Sequence, residues 1–537
     1  MHSAAKRMAR PSDTNWTLRA HFLLALLAFG EGPWSPCLAG QSSDPAQEIQ
    51  QLLQSGDTST AQTLLSEALK GSPNRAGLHN LQGVLDAQKG DVVSAEAEFK
   101  EAMALDPHLD GAYLNLGHLY QEQTPKDPAA RDKALDAYAA LLRFAPDHPE
   151  GNYQSAVLLM QKGLYAASLH HLSKLPAEMR NLPQVLSAEC GDYAGLGQRD
   201  KAERAAEQML KSPNLAEPDV TSILPILASQ KDTSLPLQLL QGIATRQLAS
   251  FESLHTLGLL YMKTGQLAEA RRTLEAAAQL QPGSVSNLLD LARVANDQKD
   301  YTGALGYLAH ARELEPGNAS IHFFWGIVCI EQNLAEEAYQ ALKKAVALNP
   351  ENAYYNYALG AVAMQRQDAS ESIPYLKKYC ESKPHDPRGR LALGAAYFYS
   401  RDDDSAEKVL STVAHGFPTA AEANFYLGRI ANRHGEYPEA IRYLGLALQA
   451  RPDYADAYAE LGLVHLKQKE YGPAENELEK AIRLRPDSYA ANLNLMILYQ
   501  RTKNPKADEQ VKKFSQVKEE REELGKEFLR TIEVRPN

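Results

Sequence analysis

The sequence predicts an all-α fold, a solenoid built from stacked pairs of helices, and three ladders of residues predict it. Proline recurs every 34 residues, at Pro282, Pro316, Pro350, Pro384, Pro418, Pro452 and Pro486. A small residue keeps the same period at Gly258, Ala292, Gly326, Gly360, Gly394, Gly428 and Gly462. Alanine or serine keeps it again at Ala270, Ala304, Ala338, Ser372, Ala406, Ala440 and Ala474. Registration this long is the mark of a repeat array, in which each unit buries its apolar face only by stacking on its neighbours.

One unit shows the reason for each ladder. "AYYNYALGAVAMQRQ" carries apolar residues at helical spacing, a polar turn follows, and "ASESIPYLKKYCESK" forms a second helix that ends before Pro384. Glycine or alanine in the first helix, with alanine in the second, lets the two backbones approach. Proline stops the second helix, and the Asp, Asn or Ser after it can cap the next first helix. Stepping backwards from Pro282 passes Leu248, Asn214 and Arg180 to reach Pro146, and then Pro107 and Pro73, with five extra residues around "QEQTPKDPAARD". Repeats therefore run from about residue 42 to about 522, some fourteen units counting a partial last one. The 537 residues would admit two to four ordinary domains, but the period makes one array of them. The expected organisation is a leader at 1–40, N-terminal units with a short insertion at 41–148, degenerate units at 149–250, a regular array at 251–488, and a last partial repeat with an amphipathic cap at 489–537. Pro225 and Pro236 fall where helices should run in the degenerate part, which predicts local kinks or irregular packing there.

The residues also carry a family resemblance. The unit "AEANFYLGRIANRHGEYPEAIRYLGLALQARPDY" resembles a tetratricopeptide repeat through Leu427, Gly428, Gly435, Tyr437, Ala440, Leu444, Ala447 and Pro452. The next unit does so through Tyr458, Leu461, Gly462, Tyr471, Ala474, Leu478, Ala481 and Pro486. The likeness spans roughly nine-tenths of the chain after residue 40. It implies a right-handed α-α superhelix in which first helices line a concave face. After the last full unit, Val511, Phe514, Val517, Leu524 and Phe528 form an apolar stripe, and Glu509–Lys513 and Glu522–Lys526 are favourable i,i+4 pairs. This reads as a capping helix, with a coiled-coil partner contact as the alternative.

The first forty residues stand apart. Lys6, Arg7, Arg10 and Arg19 precede the apolar run Phe22–Gly30, and small residues follow near Ala39-Gly40. That is the pattern of a secretory signal peptide, and the run falls far short of the ~20 apolar residues that cross a bilayer. The alternatives are an uncleaved anchor and, less well matched, a lipoprotein at Cys37. Cleavage removes four basic and two acidic residues, taking the formal net charge from −11 to −13. The expected location is periplasmic or extracellular, with no transmembrane span in the mature chain. A surface this acidic is a poor match for a phosphate backbone, so no nucleic-acid partner is expected. The remaining cysteines, Cys190, Cys329 and Cys380, sit in apolar helical patterns and read as small hydrophobes.

No motif for enzymatic chemistry is present: no GxxxxGK[ST], GxSxG, HExxH or CxxC. His170-His171 are adjacent and diverge on a helix, and Asp402-Asp403-Asp404 sit in an inter-helix turn where Asp404 or Ser405 can cap the second helix. Repeats consume the chain, which points to a non-enzymatic protein with neither cofactor nor metal. Function then falls to the solenoid surface, where the resemblance implies ligand contacts at set positions of the first helices. The lysines of a chaperone-tail clamp are missing there. An asparagine ladder is reduced to Asn115 and Asn494. What those positions do supply is aromatic and basic. One unit gives Phe323 and Phe324, the next Tyr354, Tyr357 and Met364, the third Arg388, Phe398 and Tyr399, and the fourth Phe425, Tyr426, Arg429, Asn432 and Arg433. Aromatics and arginine are the usual anchors of protein interfaces. The expected function is a scaffold of the cell envelope that binds a protein or peptide along a concave groove at 320–433. The alternatives are a periplasmic component of a polysaccharide or secretion assembly, and a regulatory subunit of a separately encoded glycosyltransferase.

Overall fold

The structure is a computed structural model that describes residues 45–229, 232–415 and 419–524. The expected signal peptide, Pro418 and the end of the apolar stripe at Phe528 lie outside the described residues. Every regular element among the described residues is an α-helix, and most helices alternate as hairpin partners along the chain. They gather into two compact units, one up to Leu260 and one from Tyr261 onward.

The first unit begins with regular pairs, such as Ala76–Lys89 with Val92–Leu105 and Asp110–Gln123 with Ala130–Phe144. Regularity fades in its second half. Tyr165–Leu172 has only 8 residues, and Glu217–Thr221 and Leu224–Ala228 have 5 each. Of the two outcomes expected at Pro225 and Pro236, the structure shows irregular packing of short helices and no kink. Each proline sits in the first turn of a helix, where its missing N–H costs no intrahelical bond. The chain breaks between helices there instead of bending within one.

The second unit shows the ladders at work. A Cβ added at Gly326, Gly360, Gly394, Gly428 or Gly462 would come within 2.5–2.8 Å of Leu342, Leu376, Leu410, Leu444 or Leu478 on the hairpin partner. Four of these glycines also lie 3.3–3.4 Å, measured from that added Cβ, from the carbonyl oxygens of Ala338, Ser372, Ala440 and Ala474. The two small-residue ladders thus meet face to face, and the leucines fill what remains. Second helices end at Leu280, Leu314, Leu348, Ser382, Ala450 and Leu484, each two residues before a ladder proline. The next helix is then capped by the side chain of Ser284, Asn318, Asn352, Asp386 or Ser488.

Two further regularities carry no fixed residue type. Within the hairpins, Gly265, Lys299, Asn333, Gln367, Arg401, Gly435, Lys469 and Lys503, again 34 apart, are left-handed with φ of 52–79°. At most of the other junctions, though not at Leu288 after Pro282, the residue six positions after a ladder proline donates a hydrogen bond to that proline's carbonyl. Tyr113, Asn152, Asn356, Arg390, Tyr458 and Asn492 do this at 2.5–3.2 Å. His79 and His322 place a ring nitrogen at 2.8 and 3.1 Å from the equivalent oxygen. The carbonyl has no intrahelical partner, so the side chain replaces one. Asn356 is buried and also donates to the Asn352 carbonyl at 2.9 Å. Asn356→Ala is expected to cost about 1–3 kcal/mol, read by urea unfolding. Asn356→His should cost less, because histidine serves this place in two other repeats. Equal losses in both variants would rule out the carbonyl contact as the cause.

The helix Ala507–Leu524 follows the last hairpin-forming segment, Tyr489–Thr502. Phe514 packs on Tyr489 with ring centroids 5.1 Å apart. The Gln510 amide donates to the Asn492 Oδ1 at 3.0 Å, and Val517 is buried.

Candidate partner-binding surface

The thirteen candidate side chains arise from four first helices, Ala319–Glu331, Ala353–Gln365, Pro387–Tyr399 and Ala420–His434. The structure divides them. Tyr357, Met364, Phe398, Phe425, Tyr426 and Asn432 are buried, so the expectation that these six line an open groove is corrected. The reason is that rings from successive helices fill the space between them. Tyr357 packs on Tyr379 at 4.8 Å, Phe398 on Tyr426 at 5.4 Å, and Phe425 on Tyr454 at 5.0 Å. Met364 belongs to the same core. The helix Ala353–Gln365 is buried on nearly every side, with 11 of its 13 residues inside. Tyr355 stacks on Phe323 at 4.8 Å, packing between repeats as its position suggests.

The other seven reach the surface. Tyr354 is exposed, and Phe323, Phe324, Arg388, Tyr399, Arg429 and Arg433 are half-buried. Their charges are organised by the buried rings. The guanidinium of Arg433 lies 4.2 Å from the Phe398 centroid. That of Arg429 lies 4.7 Å from the same ring and 5.5 Å from Phe425. Arg433 also pairs with Asp403, whose other oxygen is 3.1 Å from His434 Nε2. Glu460, on the following first helix Ala455–Lys467, lies 3.8 Å from Arg429 and accepts from the Asn432 amide at 2.5 Å. Lys467 completes the set by donating to Asn432 Oδ1 at 2.7 Å. Burial pulls the Arg433 guanidinium below its ordinary range, only partly offset by Asp403. Arg388 is different: bonds to Asp386, at 3.1 Å and 3.0 Å, hold its charge firmly.

Sequence reading missed Asp403, Glu460 and Lys467. Only Lys467 carried a signal, lying one period beyond Arg433. The cap of the helix Asp403–Ser411 is Asp402, which accepts from the Ser405 N–H at 3.1 Å, in place of the expected Asp404 or Ser405. His171 donates its Nδ1–H to Asn152 Oδ1, 2.9 Å away. Among the described residues no group of three or more His, Cys, Asp or Glu could hold a metal ion, and no helix is long and apolar enough to cross a membrane. Burial pushes the thiols of Cys329 and Cys380 up to about 11 and that of Cys190 up to about 12, which suits packing and not nucleophilic chemistry.

Two family models, both described as tetratricopeptide repeat, match the chain. One covers residues 295–362 and 431–493, the other 47–110, 255–319 and 391–455, and together they span just over half of it. The chain is a tetratricopeptide repeat protein. It is 33% identical over 135 residues to the cellulose synthase operon protein C of Xanthomonas axonopodis pv. citri (strain 306). That match takes in 23% of this tetratricopeptide repeat chain and only 9% of the relative. Among solved structures, it resembles a tetratricopeptide repeat protein from Parabacteroides merdae ATCC 43184, at 19% identity and a TM-score of 0.37. That likeness covers 46% of this chain and 98% of the other. It also resembles a chain of the APC/C hetero-tetramer Cut9-Hcn1, at 12% identity and a TM-score of 0.37, over 90% and 99% of the two chains.

Proposed function

We propose that this tetratricopeptide repeat protein is a non-enzymatic scaffold of the cell envelope, exported by its leader, that holds a protein or peptide partner against its first helices. The observation that carries this reading is the set of accessible rings and guanidinium groups on four successive first helices, held over a packed core of further aromatics. Such a surface is already ordered, so a partner meets little of the entropy loss that weakens flexible sites. The seven accessible residues Phe323, Phe324, Tyr354, Arg388, Tyr399, Arg429 and Arg433 are the proposed contacts.

A second reading, a component of a polysaccharide assembly, is favoured by one observation, the stretch shared with a protein named for a cellulose synthase operon. A photo-crosslinking residue placed at Tyr354 separates the two. Irradiated in its own cells, the scaffold is expected to form a discrete protein adduct from position 354 and none from Val93, which is 81% exposed on the other unit. Adducts of equal yield from both positions, or retention of glycan alone, would sink the scaffold reading. Full-length chain carrying residues 1–40 in a cytosolic fraction would remove the envelope from it.

A further inference from the structure

We propose that the surface carried by Arg429, Arg433 and Lys467 docks an acidic segment of a protein partner, with two or more carboxylates presented along an extended peptide. This deepens the partner-binding reading above and rests on it.

The first argument is charge. The chain as a whole is acidic, with a formal net charge of −11, yet this patch is not. Three permanent cations face two carboxylates, Asp403 and Glu460. Asp403 is shared between Arg433 and His434, and Glu460 divides its oxygens between Arg429 and the Asn432 amide. Cation charge is left over at a place where the side chains of Arg429 and Arg433 keep 31% and 26% of their exposure. Partial burial makes a new ion pair stronger there than on open surface.

The second argument is geometry. The patch bridges three successive first helices, since Arg433 lies on Phe398, and Lys467 reaches Asn432. Arg433 and Lys467 are one 34-residue period apart, and the next rung of the same ladder is the exposed Arg501. A ladder of cations in step with the repeats fits a ligand that runs along the repeats.

The third argument chooses the ligand. A neutral sugar would bind by stacking on aromatic faces, but the Phe398 face is approached by two guanidinium groups and that of Phe425 by one. What the patch leaves accessible is part of each guanidinium, a group that matches a carboxylate by paired hydrogen bonds.

The test uses the full chain and a fluorescein-labelled 12-residue peptide of alternating Glu and Ala, read by anisotropy. Saturable binding that weakens as salt rises is expected, and at least tenfold weaker binding for the same peptide with Gln for Glu. Arg429→Gln with Lys467→Gln should weaken the Glu peptide at least tenfold. Lys263→Gln with Lys344→Gln, exposed elsewhere on the same unit, should not. Lys467→Gln alone, at an exposed position, gives the same direction if the double variant fails to fold. Equal binding of the Glu and Gln peptides, unchanged binding by a folded variant, or preference for polygalacturonate over the peptide would overturn the proposal. The adduct from position 354 keeps the two readings apart. If it survives in the Arg429→Gln, Lys467→Gln chain while the peptide fails to bind wild type, the acidic segment falls and the scaffold stands. Peptide binding without any protein adduct does the reverse.

Discussion

Gly428→Val is expected to destabilise the repeats around it by about 3 kcal/mol, the upper end of the usual cost of overpacking. The first added carbon alone would stand 2.7 Å from Leu444 Cγ, and 3.4 Å from the carbonyl oxygen of Ala440. Leu444 is fully buried and cannot swing aside without opening a gap against its own neighbours. The Ala440 carbonyl is helix backbone and cannot move without shifting the whole helix Tyr437–Ala450. The hairpin must therefore spread, and the stacking of both flanking repeats spreads with it. Gly445, one turn along the partner helix, is the internal control, because nothing lies within 4 Å of its added Cβ. Gly445→Ala should stabilise by about 0.5–1 kcal/mol through helix propensity alone. Amide exchange across residues 420–450 reads both variants without assuming that the array unfolds in one step. Loss of less than about 1 kcal/mol in Gly428→Val would show that the glycine ladder is not a steric requirement.

The ladders were legible in the sequence because only one or two residue types meet each need. Only glycine or alanine lets Gly428 and Ala440 face each other across a hairpin, and only proline ends a helix with such regularity. The two hidden ladders were illegible for the opposite reason. Any side chain with a donor at the right reach can satisfy the proline carbonyl, so His, Tyr, Asn and Arg share that place and leave no common letter. In the hairpin turns, glycine suits the left-handed conformation, but Lys299, Gln367, Arg401 and Lys469 occupy it too. Each accepts a local strain of about 1 kcal/mol, which the packed pair around it can hold.

The candidate surface was half legible for a related reason. Repeat position places Tyr354 and Tyr357 on the same stretch of helix, yet one is exposed and the other buried against Tyr379. Alternation of apolar and polar residues normally tells the two apart. In the helix Ala353–Gln365 it cannot, because neighbours cover almost the entire circumference. The ring at 357 packs on Tyr379 and that at 398 on Tyr426, while Arg429 and Arg433 lie against the Phe398 ring and keep part of their exposure. Spacing picked out four first helices and, among their side chains, three arginines that reach the surface. Only the burial of the rings at 357, 398, 425 and 426 separates them from the four aromatics and three arginines that stay accessible.

Asp192→Asn is expected to stabilise the first unit by about 3–4 kcal/mol at pH 8 and to have little effect at pH 4. Asp192 lies in the helix Pro183–Gly195 with no exposed surface, and neither of its oxygens has a donor in good hydrogen-bond geometry, the neighbouring Ser168 hydroxyl included. Burial pushes its carboxyl up from 3.8 to about 7. The Ser168 hydroxyl beside it offsets part of that, and the charge of Glu189 adds to it. Glu189 is itself raised by burial, and Arg180 acts against that shift. The sign follows from which state holds the proton. Below pH 4 both folded and unfolded chains are protonated, and the group contributes nothing. Between pH 4 and 7 the unfolded chain ionises while the folded one cannot, so stability falls by about 1.4 kcal/mol for each pH unit. Above pH 7 both are ionised and the loss is constant. The asparagine has no charge to desolvate, so its curve should stay flat over the range where wild type declines. Amide protection of the 183–195 helix at pH 4, 6 and 8 measures this directly. Wild-type protection that does not decline from pH 4 to pH 7, after correction for intrinsic exchange, would mean that the carboxylate finds a partner the folded chain does not show. That pH range also bears on function, because the softened helix belongs to the irregular half of the first unit. The second unit, which carries the proposed docking surface, should keep its protection through the same titration.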